Sequence, residues 1–214
     1  WQGGLEGAIY TRELQDIQDK RLGSYPHDPD MTCLSAWDIG YRDATAILVL
    51  QKHPLNGYPV LIDYLEDRNQ GLPAYVNLIK RQPYNFRFHF WPHDGFKHEF
   101  GTGQRVVEQA ERLGLFPDPV PNVPIQDGIN ATRAFLRTLY VDDNPRTRLW
   151  LDTLQSYRRV YDPSRNIYTD KPLHDWTSHG ADSTRYAALV YDKSLISSRF
   201  EPMQTRPKVK RAMG

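Results

Sequence analysis

The stretch CLSAWDIGYRDATAILVLQKHPLNGYPVLIDYLE, residues 33–66, decides the fold. Within it, residues 33–38 (CLSAWD) and 44–51 (ATAILVLQ) are short β-rich runs, and residues 58–66 (YPVLIDYLE) follow a turn at Asn56-Gly57. Asn-Gly supplies the positive φ that tight strand connections require. Three consecutive strands joined by short turns make an antiparallel meander. Moving outward, residues 72–81 (LPAYVNLIKR) place Leu72, Tyr75, Val76 and Ile79 at helical spacing. Residues 86–91 (FRFHFW) alternate again and stop at Pro92-His93-Asp94-Gly95. A strand reached through a helix can lie parallel to an earlier one.

The remainder reads as mostly helical. Thr102 can cap a helix through Leu113, with Val106, Val107, Ala110 and Leu113 on one side and Gly114 as its stop. A second helix spans residues 127–139, and Asn144-Pro145 opens a third that runs to about Val160. Residues 162–173 form a polar hairpin or loop. In residues 174–191 (HDWTSHGADSTRYAALVY), Thr177 or Ser178 can cap a last helix whose Ala181, Ala188 and Leu189 face inward. Three antiparallel strands, a helix, a parallel strand and a late helix follow the order of a ribonuclease H-like α/β domain, with helices flanking a mixed central sheet.

Composition bounds the function. The 214 residues carry 27 basic and 26 acidic side chains, a formal charge of +1, and 39% apolar residues. The longest apolar run, Ala46 to Leu50, is far below the ~18 residues of a membrane span, and no basic-then-apolar leader opens the chain. A membrane anchor and classical secretion are not expected. One cysteine, Cys33, excludes an intramolecular disulfide and zinc sites built on cysteine pairs, and suits a reducing cytoplasm. Residues 197–214 hold five basic side chains and one acidic, so the body, residues 1–196, is near −3 and reads as one domain followed by a basic, flexible tail.

The acids that matter sit where strands end or a helix begins: Asp38 on the first strand, Asp94 after the fourth and Asp182 near the start of the last helix. Only the fold can bring them together. An acid within an apolar β run costs desolvation unless a cation joins it. Hard carboxylate oxygens select Mg²⁺ or Mn²⁺, and two such ions ~4 Å apart can clamp a phosphodiester. Each acid also has a structural reading: Asp38 as a turn cap at Gly40, Asp94 as the first residue of an Asp-Gly turn, Asp182 as an ion pair with Arg185. Asp43 and Asp63 fit structural roles better still.

The motifs add a resemblance. Trp37-Asp38-Ile39-Gly40 with Asp43-Ala44-Thr45-Ala46, then Pro92-His93-Asp94-Gly95 followed by Gly101-Thr102-Gly103, then residues 174–182 (HDWTSHGAD) with Arg185-Tyr186, resemble the ordered motifs of the nuclease domain of phage terminase large subunits. The opening Gly4-Leu5-Glu6-Gly7-Ala8-Ile9-Tyr10 resembles the stretch after the motor domain, so the resemblance covers roughly residues 4–192. Ser183-Thr184 departs from it, standing where alanine and a bulky apolar residue are more usual.

The resemblance implies a metal-dependent endonuclease that cuts concatemeric double-stranded viral DNA at the start and end of genome packaging, using two Mg²⁺ or Mn²⁺ ions. It maps the acidic triad onto Asp38, Asp94 and Asp182, with Asp38 bridging both ions. His179, three positions before Asp182 and on the same helical face, can orient water, ligate weakly or donate to a phosphate. Lys97 and Lys171 are candidate phosphate contacts. His93, His98, His174 and Asp175 fit supporting roles, and Trp91 and Trp176 fit packing. The implied partners are the ATPase domain, the small subunit and the portal, in the host cytoplasm and transiently at the procapsid. No Gly-x-x-x-x-Gly-Lys-Ser/Thr motif occurs, so the chain reads as an excised nuclease domain without its motor. Two other readings stand beside this one: another ribonuclease H-like nuclease, such as a resolvase or transposase, and a catalytically silent DNA-guiding or portal-docking module.

Overall fold

The structure, a computed structural model, describes residues 5–40, 44–98 and 104–191. Its centre is the expected meander: β2 (Cys33–Asp38), β3 (Ala44–Lys52) and β4 (Pro59–Arg68), antiparallel throughout. Gly57 takes φ +71° in the turn between β3 and β4, as Asn-Gly implies. Strand β5 (Phe86–Trp91) arrives through α2 (Leu72–Lys80) and lies parallel to β2. Three short strands complete the sheet: β1 (Leu22–Gly23), β6 (Asp118–Pro119) and β7 (Tyr140–Asp142), all in parallel pairs. The spatial order is β1-β7-β4-β3-β2-β5-β6.

Helices cover both faces, which is why β3 is apolar almost end to end rather than alternating. One layer contains α1 (Thr11–Lys20), α4 (Ile125–Leu136), α5 (Pro145–Ser156) and α6 (Ser178–Val190), against Leu34, Ala36, Ala46, Leu48 and Leu61. The opposite layer packs α2 and α3 (Val106–Arg112) on Trp37, Ile47, Val49 and Trp91. Strand β2 therefore divides its side chains: Cys33, Ser35 and Trp37 face α2 and α3, while Leu34, Ala36 and Asp38 face α6. A bulge in β4 opposite Val49 and Leu50 resets the alternation so that Asp63 faces the first set and Tyr64 and Glu66 the second. The row Asp38–Ala46–Glu66 consequently lies on the α6 face of the sheet.

Several boundaries differ from expectation. Helix α3 starts at Val106 with Arg105 as its cap, while Thr102 lies outside the described residues. Gly114 does end it, at φ +75°. Helix α4 occupies residues 125–136 rather than 127–139. Helix α5 stops at Ser156, not Val160, because Tyr157 turns extended and its carbonyl accepts the Ile9 N–H. The chain then forms a hairpin of β8 (Arg159–Asp162) and β9 (Ile167–Pro172). In α6 the inward face is Gly180, Ala181, Ser183, Thr184 and Ala187; Ala188 and Leu189 are only partly buried. Ser183 and Thr184 are satisfied there: both hydroxyls donate to the Gly180 carbonyl, and Thr184 accepts from the Trp150 indole. That pairing explains how two polar residues occupy positions where apolar ones are expected.

Candidate active site

Asp38 is the last residue of β2, and the sheet aims it at the first turn of α6. His179 meets it there, Nδ1 to Oδ2 at 2.9 Å, with both side chains largely buried. With Asp38 ionised, the imidazole donates. Burial pushes the Asp38 carboxyl above its ordinary value, the His179 hydrogen bond pulls it down, and the nearby Asp182 pushes it up again. The lone acid predicted to need a cation thus has an imidazole, a second carboxylate and a demand for positive charge. It does not cap the turn at Gly40, whose N–H donates to Thr45.

Helix α6 places His179 and Asp182 on one face. Gly180 between them sits at a close approach, since a Cβ there would stand 2.7 Å from both Thr153 Cγ2 and the Tyr64 hydroxyl. That hydroxyl donates to Glu66 and has its proton held by burial and by the charges of Glu66 and Asp38. Glu66 and Tyr64 thus brace the pocket from the sheet side. The sequence marks them only as strand residues, because the β4 bulge that turns them to this face has no local signature. The expected side-chain cap of α6 is absent: Thr177 precedes the helix without capping it. Instead Asp175 accepts from the Thr177 N–H and hydroxyl at 2.9 and 2.6 Å, a supporting role. That turn presents Trp176 outward, half exposed, so it does not pack as predicted, whereas Trp91 is fully buried.

Asp94 lies in a single 3-10 turn after β5, His93–Phe96. Its side chain is 83% exposed and ion-paired with Lys97 at 2.6 Å. It belongs to the same neighbourhood, since Tyr186 on α6 has its phenol raised by burial and by Asp38, Asp182 and Asp94 together. Asp182 is likewise paired, with Arg185 Nη2 at 2.8 Å. Among the described residues, no three His, Cys, Asp or Glu side chains are gathered closely enough to hold a metal ion as they stand. Asp38 and His179 are in contact, Asp182 is near enough to raise the Asp38 carboxyl but is held by Arg185, and Asp94 is turned to Lys97.

Lys171 is exposed on β9, and His174 is exposed with its ring 6.4 Å from that of His179. His93 is exposed at the start of the 3-10 turn, and His98 pairs by a backbone bridge with Arg105. Asp63 is wholly buried, bound to Tyr84 at 2.8 Å and Arg146 at 2.7 Å, the structural role expected of it. Asp43, Gly101 and Gly103 lie outside the described residues.

No family model and no curated protein sequence matches the chain. Solved structures do. The P22 large terminase nuclease domain superimposes with a TM-score of 0.66 at 17% identity, covering 90% of this chain and 95% of that one. The large terminase of the thermophilic bacteriophage D6E, in complex with ADP, gives 0.64 at 18% identity over 86% of this chain. The large terminase nuclease of thermophilic phage G20c with bound cobalt gives 0.62 at 14%, covering 88% of this chain and all of that one; it is also known with bound magnesium. The chain thus has the ribonuclease H-like fold of large-terminase nuclease domains. It spans only 45% of the D6E chain but nearly the whole of the separate nuclease domains.

Proposed function

We propose that the chain is the metal-dependent endonuclease domain of a phage large terminase, hydrolysing concatemeric double-stranded DNA when genome packaging begins and ends. The observation that carries this reading is the largely buried Asp38–His179 contact, formed where α6 meets the end of β2 with Asp182 nearby on the same helix, in a fold shared with terminase nucleases. The donor set suits Mg²⁺ or Mn²⁺: hard carboxylate oxygens and one imidazole around a buried acid that burial makes costly to ionise alone. Asp38, Asp94 and Asp182 would hold two such ions. When bound, the ions supply an activated water and stabilisation of the leaving 3′ oxygen.

The chain's own groups do the rest. His179 fixes the orientation of the Asp38 carboxylate through Nδ1, and the Gly180 contacts fix His179 and Asp182 relative to the sheet. Asp94, on an exposed turn, completes the set by leaving Lys97. Lys97, once released from Asp94, and Lys171 on the β8–β9 hairpin would meet phosphates. The nuclease unit is residues 1–196, with residues 197–214 a basic appendage; the ATPase domain, small subunit and portal are its partners in the host cytoplasm. No helix among the described residues is long and apolar enough to cross a membrane.

The second reading, a silent DNA-guiding or portal-docking module, draws on the two acids that stand paired with Lys97 and Arg185. Plasmid cleavage separates the two. The 214-residue chain should convert supercoiled plasmid to nicked and linear forms with Mg²⁺ or Mn²⁺ and with little sequence preference, and Asp38→Asn should not. Robust cutting in excess chelator overturns the metal mechanism, and no cutting with either ion favours the silent module.

A further inference from the structure

Asp182 enters the pocket with a cation already attached. Arg185, one turn along α6, is only 14% exposed. Exposed pairs at this helical spacing are common and contribute little, but three observations set this one apart. The arginine stem crosses α4 at Gly128, where a Cβ would stand 2.6 Å from its Cδ and 2.9 Å from its Cγ. Glycine is unfavourable inside a helix, and at this position its bareness is what admits the arginine. The guanidinium lies 5.0 Å from the Tyr186 ring centroid, over its face. Its Nε is buried and has no hydrogen-bond partner among the described residues. The cation is thus seated by packing, with donor capacity in reserve, and its charge also reaches Asp38, whose carboxyl it draws down.

We propose that Arg185 is the resident counter-cation of the acid pocket. It neutralises Asp182 in the metal-free protein, and a divalent ion must take Asp182 from it. The arginine therefore keeps intrinsic metal affinity low and ties loading to the arrival of a phosphodiester, whose charge offers the guanidinium a replacement partner. This rests on the reading of Asp38 and Asp182 as metal ligands. Arg185 is a positioning residue, and the contrary expectation is clear: if it merely orients Asp182, removing it weakens metal binding.

The test is calorimetric titration of the 214-residue chain with Mn²⁺, without DNA, alongside metal-free melting curves. Arg185→Gln should bind Mn²⁺ about tenfold or more tightly than the parent, and Arg185→Lys should stay near the parent, because a like charge beside the ion is what opposes binding. Without metal, Arg185→Gln should melt lower by roughly 5 °C, and adding Asp182→Asn should restore part of the loss. A short DNA duplex with non-hydrolysable linkages should tighten Mn²⁺ binding in the parent more than in Arg185→Gln. If Arg185→Gln does not fold, Gly128→Ala, which dislodges the stem, must raise Mn²⁺ affinity instead. A parent that binds Mn²⁺ beside a variant that binds it no better overturns the proposal alone. A parent that binds no Mn²⁺ overturns the reading of the pocket and the proposal with it.

Discussion

Gly180→Ala should disable the site by moving a helix rather than by removing a functional group. The added methyl would meet Thr153 Cγ2 and the Tyr64 hydroxyl, each at 2.7 Å. Ordinary contacts begin near 3.4 Å, so α6 must retreat by about 0.7 Å or more. Neither neighbour yields readily: Thr153 donates to the Leu149 carbonyl at 2.8 Å, and the Tyr64 hydroxyl is held by Glu66. Alanine gains about 1 kcal/mol of helix propensity over glycine, while overpacking a closed core costs about 1–3 kcal/mol. The net effect is a loss of up to about 2 kcal/mol, a fall of up to roughly 4–8 °C in melting temperature for a chain of this size. The functional effect is larger in proportion. His179 and Asp182 ride on the displaced segment, and a shift approaching 1 Å costs on the order of 10²-fold in rate. Melting curves and Mn²⁺-dependent plasmid nicking, compared per folded molecule, check both parts. A variant with the parent's melting temperature and nicking rate would refute the claim that this contact positions the site.

Acid should weaken the fold through His89, which is partly buried beside Ser35, hydrogen-bonded to it at 2.7 Å, and held down to about 4 from an ordinary value of 6.5 by desolvation. The unfolded chain binds the proton first, so stability is intact above about pH 6.5 and falls by up to about 3 kcal/mol as pH drops toward 4; urea titrations at stepped pH should show that slope in the parent and lose it in His89→Gln. Asp63→Ala should destabilise by about 1–3 kcal/mol, since it leaves the partly buried Tyr84 hydroxyl without its acceptor, while Arg146 is half exposed and can turn to water. Metal-dependent nicking by the fraction still folded should persist, and its loss would place Asp63 in the site. Asp94→Asn should do the reverse, leaving the melting temperature unchanged because the acid is exposed, and abolishing nicking; a stability loss with normal cutting would assign it to the turn alone.

The meander and β5 were legible because local chemistry encodes them: β-branched runs, Asn56-Gly57 and the Pro92 stop. What escaped was structure defined by distant partners. Strands β1, β6 and β7 are two or three residues long, and only their neighbours in the sheet make them strands. Helix α1 is largely polar, with Leu14 and Ile17 its only buried apolar residues, so its apolar stripe is too thin to read. The overrun of α5 has a similar cause: Tyr157 and Val160 continue the helical spacing, but the N-terminal segment captures the Tyr157 carbonyl and the Arg159 N–H and draws the chain into a strand. In the site, Asp38 and Asp182 stood out because acids at element ends are conspicuous. The seat of Arg185 at Gly128 did not, because a glycine's purpose is visible only in what passes over it.

The contact between Asp38 and His179 joins residues 141 positions apart. One half of the pocket is made on β2, early in the chain, and the other on α6, the last helix described. A polypeptide whose α6 has not yet left the ribosome, or has come loose, therefore has no Asp38–His179 contact whatever the state of its sheet. Long-range contacts of this kind are also among the last to form when a chain folds. On the proposed nuclease reading, the ability to cut is therefore a matter of timing: it is acquired when α6 docks against β2 and is lost when that helix leaves.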